Sequence, residues 1–169
     1  MAEHMSLRAF QEYLNQRLKV QATDTEAPLL AIQTGNANWL LEPSDSDGIA
    51  TVDSIVPVPM TRPSFLGITN IQGALYGVND IAQLNSNLPT ERTPKAKLII
   101  LNNRYKFNTT LLVEGSIQLR KRSEFSHPSK LENAPPWCTK AYHDPEGLTW
   151  QMISVHNLLA DRDFNKVGL

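Results

Sequence analysis

The sequence lacks the residue clusters on which most enzymes and metal proteins depend. Cys138 is the only cysteine among 169 residues, so no internal disulfide can form. The histidines are isolated from one another, at His4, His127, His143 and His156. They complete no zinc-binding set with Cys138, and no glycine-rich phosphate loop follows a predicted strand. We therefore expect a protein that is not an enzyme, with no catalytic, cofactor-binding or metal-binding residues.

Long apolar runs and an excess of one charge are absent as well. The net charge is -1, which argues against a general nucleic-acid or anionic-membrane binder. No segment approaches the roughly 20 apolar residues that cross a bilayer, and the first ten residues lack the apolar run of a signal peptide. A hydrophobic content of 41% with 20% charged residues is typical of globular proteins. We expect a cytoplasmic protein without nucleic-acid partners or direct membrane insertion.

A turn near the middle of the chain organises the predicted β-structure. Residues 70–73 read Asn-Ile-Gln-Gly and have apolar residues on both sides. Asparagine can hydrogen-bond within its own turn and glycine accepts positive φ, so this segment predicts a β-hairpin. Asp80 follows the second strand, and its carboxylate is a good cap for a short helix beginning there.

A second stretch, near the C-terminus, repeats this pattern of turn, strand, cap and apolar helical turn. The matched pairs are Gly73 with Gly147, Tyr76 with Trp150, Val78 with Met152, Asp80 with Ser154, Ile81 with Val155, Gln83 with Asn157 and Leu84 with Leu158. Several matches in register indicate two related β units in one chain. Because Tyr76 and Trp150 are equivalent in the repeat, both should be largely buried.

Other short strands are predicted throughout the chain, over residues 29–34, 38–41, 51–58, 97–101, 105–113 and 117–120, with a final pair within 140–153. Pro57 and Pro59 place the third of these at an edge or a bend. The polar turn at 43–48 should leave Asp45 and Asp47 in solvent. Short strands with turn signals at roughly 8–12-residue spacing are typical of small barrels or sandwiches. Together with the repeat, they predict two small barrels packed together.

An amphipathic helix is predicted before the first strand, over residues 6–20. Its apolar face consists of Leu7, Phe10, Leu14 and Leu18, at spacings of three and four. A lone helix of this length is marginal in water, so it must dock either on its own domain or on a partner. We expect residues 1–24 to form this helix and a linker, residues 25–165 the two-barrel domain, and residues 166–169 a tail.

The stretch from Ile55 to Leu84 resembles the signature of CheW-like domains. Those domains typically show an Ile-then-Pro strand, a Pro-x-Phe-x-x-Gly turn, an Asn-x-Arg-Gly hairpin and a closing Asp-Leu. The counterparts here are Ile55 with Pro57 and Pro59, Pro63-Ser64-Phe65-Leu66-Gly67, Asn70-Ile71-Gln72-Gly73 and Asp80-Ile81. The resemblance covers most of residues 28–160. The chain is most similar to the PilI-type members of type IV pilus chemosensory systems, through its N-terminal helix, its Arg62-Pro63-x-Phe65 turn and its APPW stretch.

The resemblance implies a mostly β fold of two intertwined, SH3-like five-stranded barrels with short connecting helices. It also implies a non-catalytic adaptor that couples a methyl-accepting receptor to a CheA-type histidine kinase in twitching control. The receptor-binding residues implied are Asn70, Ile71, Gln72 and Gly73. The kinase-binding residues implied are Ile55, Val56, Pro57 and Val58.

Two residues depart from the family pattern. Gln72 stands where the family usually has an arginine that faces the receptor, and Gln cannot make the charged, bidentate bonds of Arg. Gly77 stands where the family strand often carries proline. The alternatives to an adaptor are a small-ligand binder or enzyme that uses the groove between the barrels, and a structural subunit unrelated to signalling.

Overall fold

The computed structural model describes residues 7–21, 28–33, 37–86, 88–165 and 167–168. In this part of the chain the strands are β1 Pro28–Gln33, β2 Asn38–Leu41, β3 Ser46–Thr51, β4 Phe65–Ile71, β5 Ala74–Asp80, β6 Ala96–Leu101, β7 Thr109–Glu114, β8 Ser116–Lys121, β9 Ser129–Lys130, β10 Lys140–His143 and β11 Thr149–Met152. The α-helices are α1 Leu7–Gln21, α2 Ile81–Ser86, α3 Val155–Ala160 and α4 Arg162–Asn165.

The strands form two sheets with the same pattern of antiparallel and parallel neighbours. The central sheet has the order β3-β6-β7-β5-β4, and the split sheet has the order β8-β1-β2-β11-β10 with the two-residue β9 outside β10. In each sheet one parallel pair, β7 with β5 or β2 with β11, joins two antiparallel hairpins. The chain begins the split sheet with β1 and β2, builds the whole central sheet, and then returns for β8 to β11. The predicted mostly β fold of two intertwined small barrels is confirmed.

Burial on both faces explains why several strands are continuous apolar runs. Leu29 and Ala31 face a core inside the split sheet, which also contains Trp150. Leu30 and Ile32 face the opposite way, into a core that the two sheets share. The central sheet contributes Ile99, Leu101, Leu111 and Val113 to this shared core. Because side chains alternate along a strand, a strand between two cores must be apolar at every position.

The internal repeat is confirmed at its turns and caps. Gly73 and Gly147 both have positive φ, +88° and +84°. The carboxylate of Asp80 accepts two backbone N–H groups in the first turn of α2, at 3.1 and 3.3 Å. The hydroxyl of Ser154 accepts one N–H in the first turn of α3, at 3.3 Å. Each hairpin therefore ends in a short helix capped by the residue that the sequence predicted.

The two equivalent aromatic residues are not equally buried. Trp150 is 3% exposed, as predicted, whereas Tyr76 is only partly buried. The Phe125 ring packs edge-on against Trp150 at a ring-centroid distance of 5.8 Å, and the guanidinium of Arg120 lies over the Trp150 ring. These two residues lie outside the repeated stretch, so the repeat alone could not predict the difference.

The predicted strand at residues 51–58 is wrong. β3 ends at Thr51, and beyond it Val56 makes only an isolated bridge to Ile68 of β4. Pro57 and Pro59 have no N–H to donate, so the pairing cannot continue past the bridge. The strand predicted from residue 105 also begins later, at Thr109, because a tight helical turn occupies residues 103–105.

The turn at residues 43–48 is not solvated as predicted. Asp45 is 8% exposed, accepts the hydroxyl of Tyr105 at 2.6 Å and forms an ion pair with Arg104. The carboxylate of Asp47 accepts the N–H of Asn103 at 2.8 Å. These bonds tie the entry of β3 to the β6–β7 connection, so both aspartates have a structural role.

Helix α1 packs on its own domain. Phe10 and Leu14 are 4% and 6% exposed and belong to the shared core. Leu7 is partly buried against β3, where a Cβ built on Gly48 would lie 2.1 Å from Leu7 Cδ2. The predicted apolar face is confirmed for Phe10 and Leu14, whereas the side chain of Leu18 lies outside the described residues. A glycine at position 48 lets the helix approach the sheet this closely.

A buried carboxylate fastens β8 to the β10–β11 turn. Asp144 is 7% exposed and accepts the indole N–H of Trp150 at 3.0 Å. It also accepts backbone N–H groups of Glu146 and Leu148 at 3.0 and 2.9 Å, and Arg120 Nη1 lies 3.5 Å away. Burial by itself raises the pKa of Asp144, but these hydrogen bonds outweigh it, and the pKa lies below its ordinary value.

Asp144→Asn should lower stability at neutral pH and flatten its acid dependence. The folded-state pKa is below that of an unfolded aspartate, about 3.9, so the ionised group stabilises the fold above that pH. This stabilisation disappears as the pH falls through the folded-state pKa. We expect the substitution to cost about 1–3 kcal/mol at pH 7 and much less at pH 3. Urea unfolding of both proteins at pH 7 and at pH 3 measures this loss of unfolding free energy. Glu124→Gln, at an exposed partner of Arg120, is the control and should lower stability at pH 7 by less than Asp144→Asn does.

Candidate protein-interaction site

The β4–β5 hairpin closes with a two-residue turn in which both residues have positive φ. Ile71 pairs with Ala74, and between them Gln72 and Gly73 both have positive φ, +52° and +88°. This is the backbone of a type I′ turn, which matches the twist of the flanking strands. The Asn70 side chain accepts the Gly73 N–H at 2.9 Å, as the sequence predicted. The turn is thus held from within and presents the exposed Gln72 side chain at its tip.

A cavity of about 750 Å³ lies beside this hairpin, between the two sheets and α1. Its apolar lining comes from both sheets and the helix: Leu7, Phe10, Leu30, Ile49, Ile117 and Leu119. Asn70, Ile71 and Gln72 line one part of it, together with Asp53 and Lys97. Three of the four residues implied as receptor-binding therefore border this cavity, which forms a groove beside the hairpin. The fourth, Gly73, is exposed in the turn beside it.

The four residues implied as kinase-binding form a loop along β4. Val56 is 65% exposed and Pro57 is exposed, whereas Val58 is half-buried. Ile55 packs inward against the core of the central sheet. The bridge between Val56 and Ile68 places this loop only a few residues along β4 from the hairpin turn. The two implied sites are thus neighbours on one sheet.

The only cysteine of the chain, Cys138, is buried in the shared core. Cys138 is 1% exposed with its Sγ 3.4 Å from Gln151 Oε1, and burial raises its pKa to about 11. A thiol so far from ionisation is a poor nucleophile at neutral pH. Within the described ranges, no three His, Cys, Asp or Glu side chains are grouped so that they could hold a metal ion. Of the helices described, none is long and apolar enough to span a membrane.

Sequence reasoning missed most of the groove lining. Tyr13 of α1, Lys97 of β6 and Gln118 of β8 border the cavity although they lie far apart in sequence. Their meeting depends on how α1 and the two sheets dock, and no local pattern encodes that. The signal that the sequence did offer was the apolar face of α1, which indicates that this helix packs on an apolar surface.

Comparison with known proteins agrees with the strand topology. The structure of the scaffolding protein TtCheW from Thermoanaerobacter tengcongensis matches with a TM-score of 0.67 at 14% identity, over 84% of this chain and 92% of that chain. At such low identity the match concerns the fold. No curated protein matches the sequence. The family model described as CheW-like domain matches residues 29–163, so the chain belongs to the family of CheW-like domains.

Proposed function

We propose that the protein is a non-catalytic adaptor that couples methyl-accepting receptors to a CheA-type histidine kinase in the cytoplasm. The observation that supports this most directly is the family match over residues 29–163, combined with two exposed segments that lie along β4. An adaptor works by holding two partners at once, so it needs two surfaces rather than a reactive cluster. The hairpin with its groove is the receptor surface, and the loop 55–58 belongs to the kinase surface.

The pathway proposed is the control of type IV pili. The N-terminal helix and the Arg62-Pro63-x-Phe65 turn, both features of the PilI-type resemblance, are ordered parts of this structure. Arg62 donates to the Asp163 carboxylate at 3.0 Å, and Phe65 begins β4. Deletion of the gene should abolish twitching and leave flagellar swimming unchanged. Loss of swimming with normal twitching would contradict the pilus assignment but not the adaptor role.

Reconstitution tests the adaptor function itself. The purified protein is mixed with the regulatory domain of the organism's CheA-type kinase and with the cytoplasmic fragment of its methyl-accepting receptor. We expect two binary complexes and one ternary complex on size-exclusion chromatography. If neither partner binds, the adaptor proposal is wrong.

A second candidate function, binding of a small ligand, is favoured by the cavity alone. About 750 Å³ lies within the range of roughly 300–1,000 Å³ that is typical of small-molecule sites. Its lining is mixed and combines apolar side chains with one cation, Lys97, and one carboxylate, Asp53. Native mass spectrometry of protein purified from its own organism would detect a bound molecule, and an empty cavity there would argue against this function.

Gln72→Arg should keep or tighten receptor binding. Gln72 already has positive φ, so Arg at the same position adds no new type of backbone strain. The neutral hydrogen bond of Gln contributes about 0.5–1.5 kcal/mol, and a charge-assisted bond to a carbonyl or carboxylate about twice that. Gln72→Ala should weaken receptor binding by the smaller amount. Titration calorimetry with the receptor fragment measures both changes, and kinase affinity is the control. If both variants bind the receptor like the wild type, the hairpin is only a turn.

A further inference from the structure

Lys97 brings a positive charge to the groove beside the hairpin. Among the described residues that line this groove, Lys97 has the one cationic side chain and Asp53 the one carboxylate. None of the ion pairs found in the described part of the chain includes either residue. The ammonium group of Lys97 is therefore free to pair with a group on a bound partner.

The strand pattern explains why Lys97 faces the groove. Its neighbours in β6, Ala96 and Leu98, lie inside the core of the central sheet. Since side chains alternate along a strand, Lys97 points to the opposite face, the one that carries Ile99 into the shared core. Ile99 is 0% exposed, whereas Lys97 is only partly buried. Because burial of an unpaired charge is costly, a lysine in this row indicates that the shared core opens there.

The strands on both sides of β6 flank the Lys97 side chain. Lys97 pairs with Thr51 of β3 and with Val113 of β7. Thr51 also lines the groove, and Val113 is buried in the shared core. The apolar stem of a lysine can lie along such a surface while its charged end stays in contact with water. The sheet thus restricts where the ammonium group can lie, more than on an exposed surface lysine.

The hairpin itself supplies no charge to the groove. Asn70, Ile71 and Gln72, the hairpin residues that line it, all have neutral side chains. Gln72 stands at the position where the family pattern has arginine. A positive charge in this groove therefore comes from β6 and not from the turn.

We propose that Lys97 selects a receptor segment that carries a carboxylate, and that its ammonium group binds this carboxylate in the groove. The inference rests on the proposed function and adds a specificity-determining residue to the receptor surface. Asp and Glu side chains are the anions of an unmodified protein segment, so the partner group is a carboxylate. Asp53 opposes it only weakly, because Asp53 is exposed and solvent screens its charge. A charge-assisted bond from Lys97 is about twice as strong as a neutral bond from Gln72.

The experiment measures the affinity of the full-length protein for the cytoplasmic fragment of the organism's methyl-accepting receptor, at low and at high salt. Lys97→Gln should weaken binding about 10-fold at low salt and less at high salt, since salt screens the attraction that is lost. Lys97→Arg keeps the charge and should keep most of the affinity. Lys95→Gln removes the same charge from an exposed residue just before β6 that does not line the groove. This control should bind like the wild type.

A charge exchange tests whether the contact is direct. Lys97→Glu should weaken binding more than Lys97→Gln, because it places two like charges together. Each Asp and Glu of the receptor fragment is then replaced by Lys in turn, and one of these replacements should restore binding to the Lys97→Glu protein. Melting temperatures of the Lys97→Gln and Lys95→Gln proteins should lie within about 2 °C of the wild type, so that a loss of affinity is not a loss of folding.

Three results would overturn the inference while leaving the adaptor function standing. The first is wild-type receptor affinity in Lys97→Gln at both salt concentrations. The second is an equal loss in Lys95→Gln, which would show that only the net charge matters. The third is a loss in Asp53→Asn as large as that in Lys97→Gln, since removing a carboxylate should tighten the binding of an acidic segment. Failure of the wild type to bind the receptor would instead overturn the proposed function itself.

Discussion

Replacing Trp150 by alanine should cost about 3–5 kcal/mol of unfolding free energy, the usual range for a buried large aromatic. Trp150 is 3% exposed and packs edge-on against Phe125 at a ring-centroid distance of 5.8 Å. Its indole N–H is one of the donors that keep the buried carboxylate of Asp144 ionised. The substitution therefore leaves both a cavity and a poorly satisfied charge. Because whole domains are stable by only about 5–15 kcal/mol, the variant should be close to unfolding at physiological temperature.

Two further variants separate the contributions at Trp150. Trp150→Phe keeps most of the ring but loses the hydrogen bond to Asp144, and should cost about 1–3 kcal/mol. Tyr76→Ala, at the equivalent position of the repeat, should cost less than Trp150→Ala because Tyr76 is partly exposed. Urea unfolding followed by circular dichroism measures all three. Equal losses for Tyr76→Ala and Trp150→Ala would show that Phe125 and Arg120 do not stabilise the split sheet as the structure indicates.

The features that the sequence predicted well are those decided within a few residues. Gly73 and Gly147 mark their turns because glycine adopts positive φ without strain, and Asp80 and Ser154 cap their helices through side chains that reach only one turn ahead. In the internal repeat, these turn and cap residues occupy equivalent positions in two stretches of the chain. From the repeat we predicted a pair of small barrels, and the strand order of the two sheets confirms this prediction.

The features that the sequence could not predict depend on partners far along the chain. The parallel pairing of β2 with β11 joins residues 39–40 to residues 151–152, and no local pattern specifies it. Asp45 looked solvated because its partners, Arg104 and Tyr105, come some sixty residues later. The β-branched residues after Thr51 suggested a strand, but strand formation needs a neighbour with free donors and acceptors. Strand β4 pairs with this segment only at the bridge between Ile68 and Val56.

The candidate interaction site likewise has one part that the sequence predicted and another part that depends on residues far apart in the chain. The hairpin at residues 70–73 was predictable, since its turn chemistry is local. The groove beside it was not, because its walls come from α1, both sheets and the hairpin together. The exposed loop was recognised as proline-rich, but its fixed shape comes from Gly67 on β4 and from the C-terminal segment. The candidate site thus lies where elements that are far apart in the sequence meet.

Deleting residues 1–20 should lower the melting temperature by about 10–20 °C. Burial of Phe10 and Leu14 in the shared core contributes about 1.5–3 kcal/mol each, and in a domain of this size one kcal/mol shifts the melting temperature by about 2–4 °C. The deletion also uncovers apolar residues of both sheets that now line the cavity under α1, such as Leu30 of β1 and Ile49 of β3. Part of the loss should therefore appear as binding of a hydrophobic dye, measured in parallel with the melting curve.

Point variants on the two faces of α1 give the matched control for this deletion. Phe10→Ala should cost about 3–5 kcal/mol in the full-length chain, whereas Gln11→Ala, on the exposed face, should cost less than about 0.5 kcal/mol. If the deletion and Phe10→Ala both melt like the wild type, the helix does not stabilise the domain. Its apolar face would then be available to a partner, which is the alternative that the sequence left open. A large loss in both variants would instead show that α1 is a stable part of the groove wall. Any segment that enters the groove must then fit beside Leu7 and Tyr13.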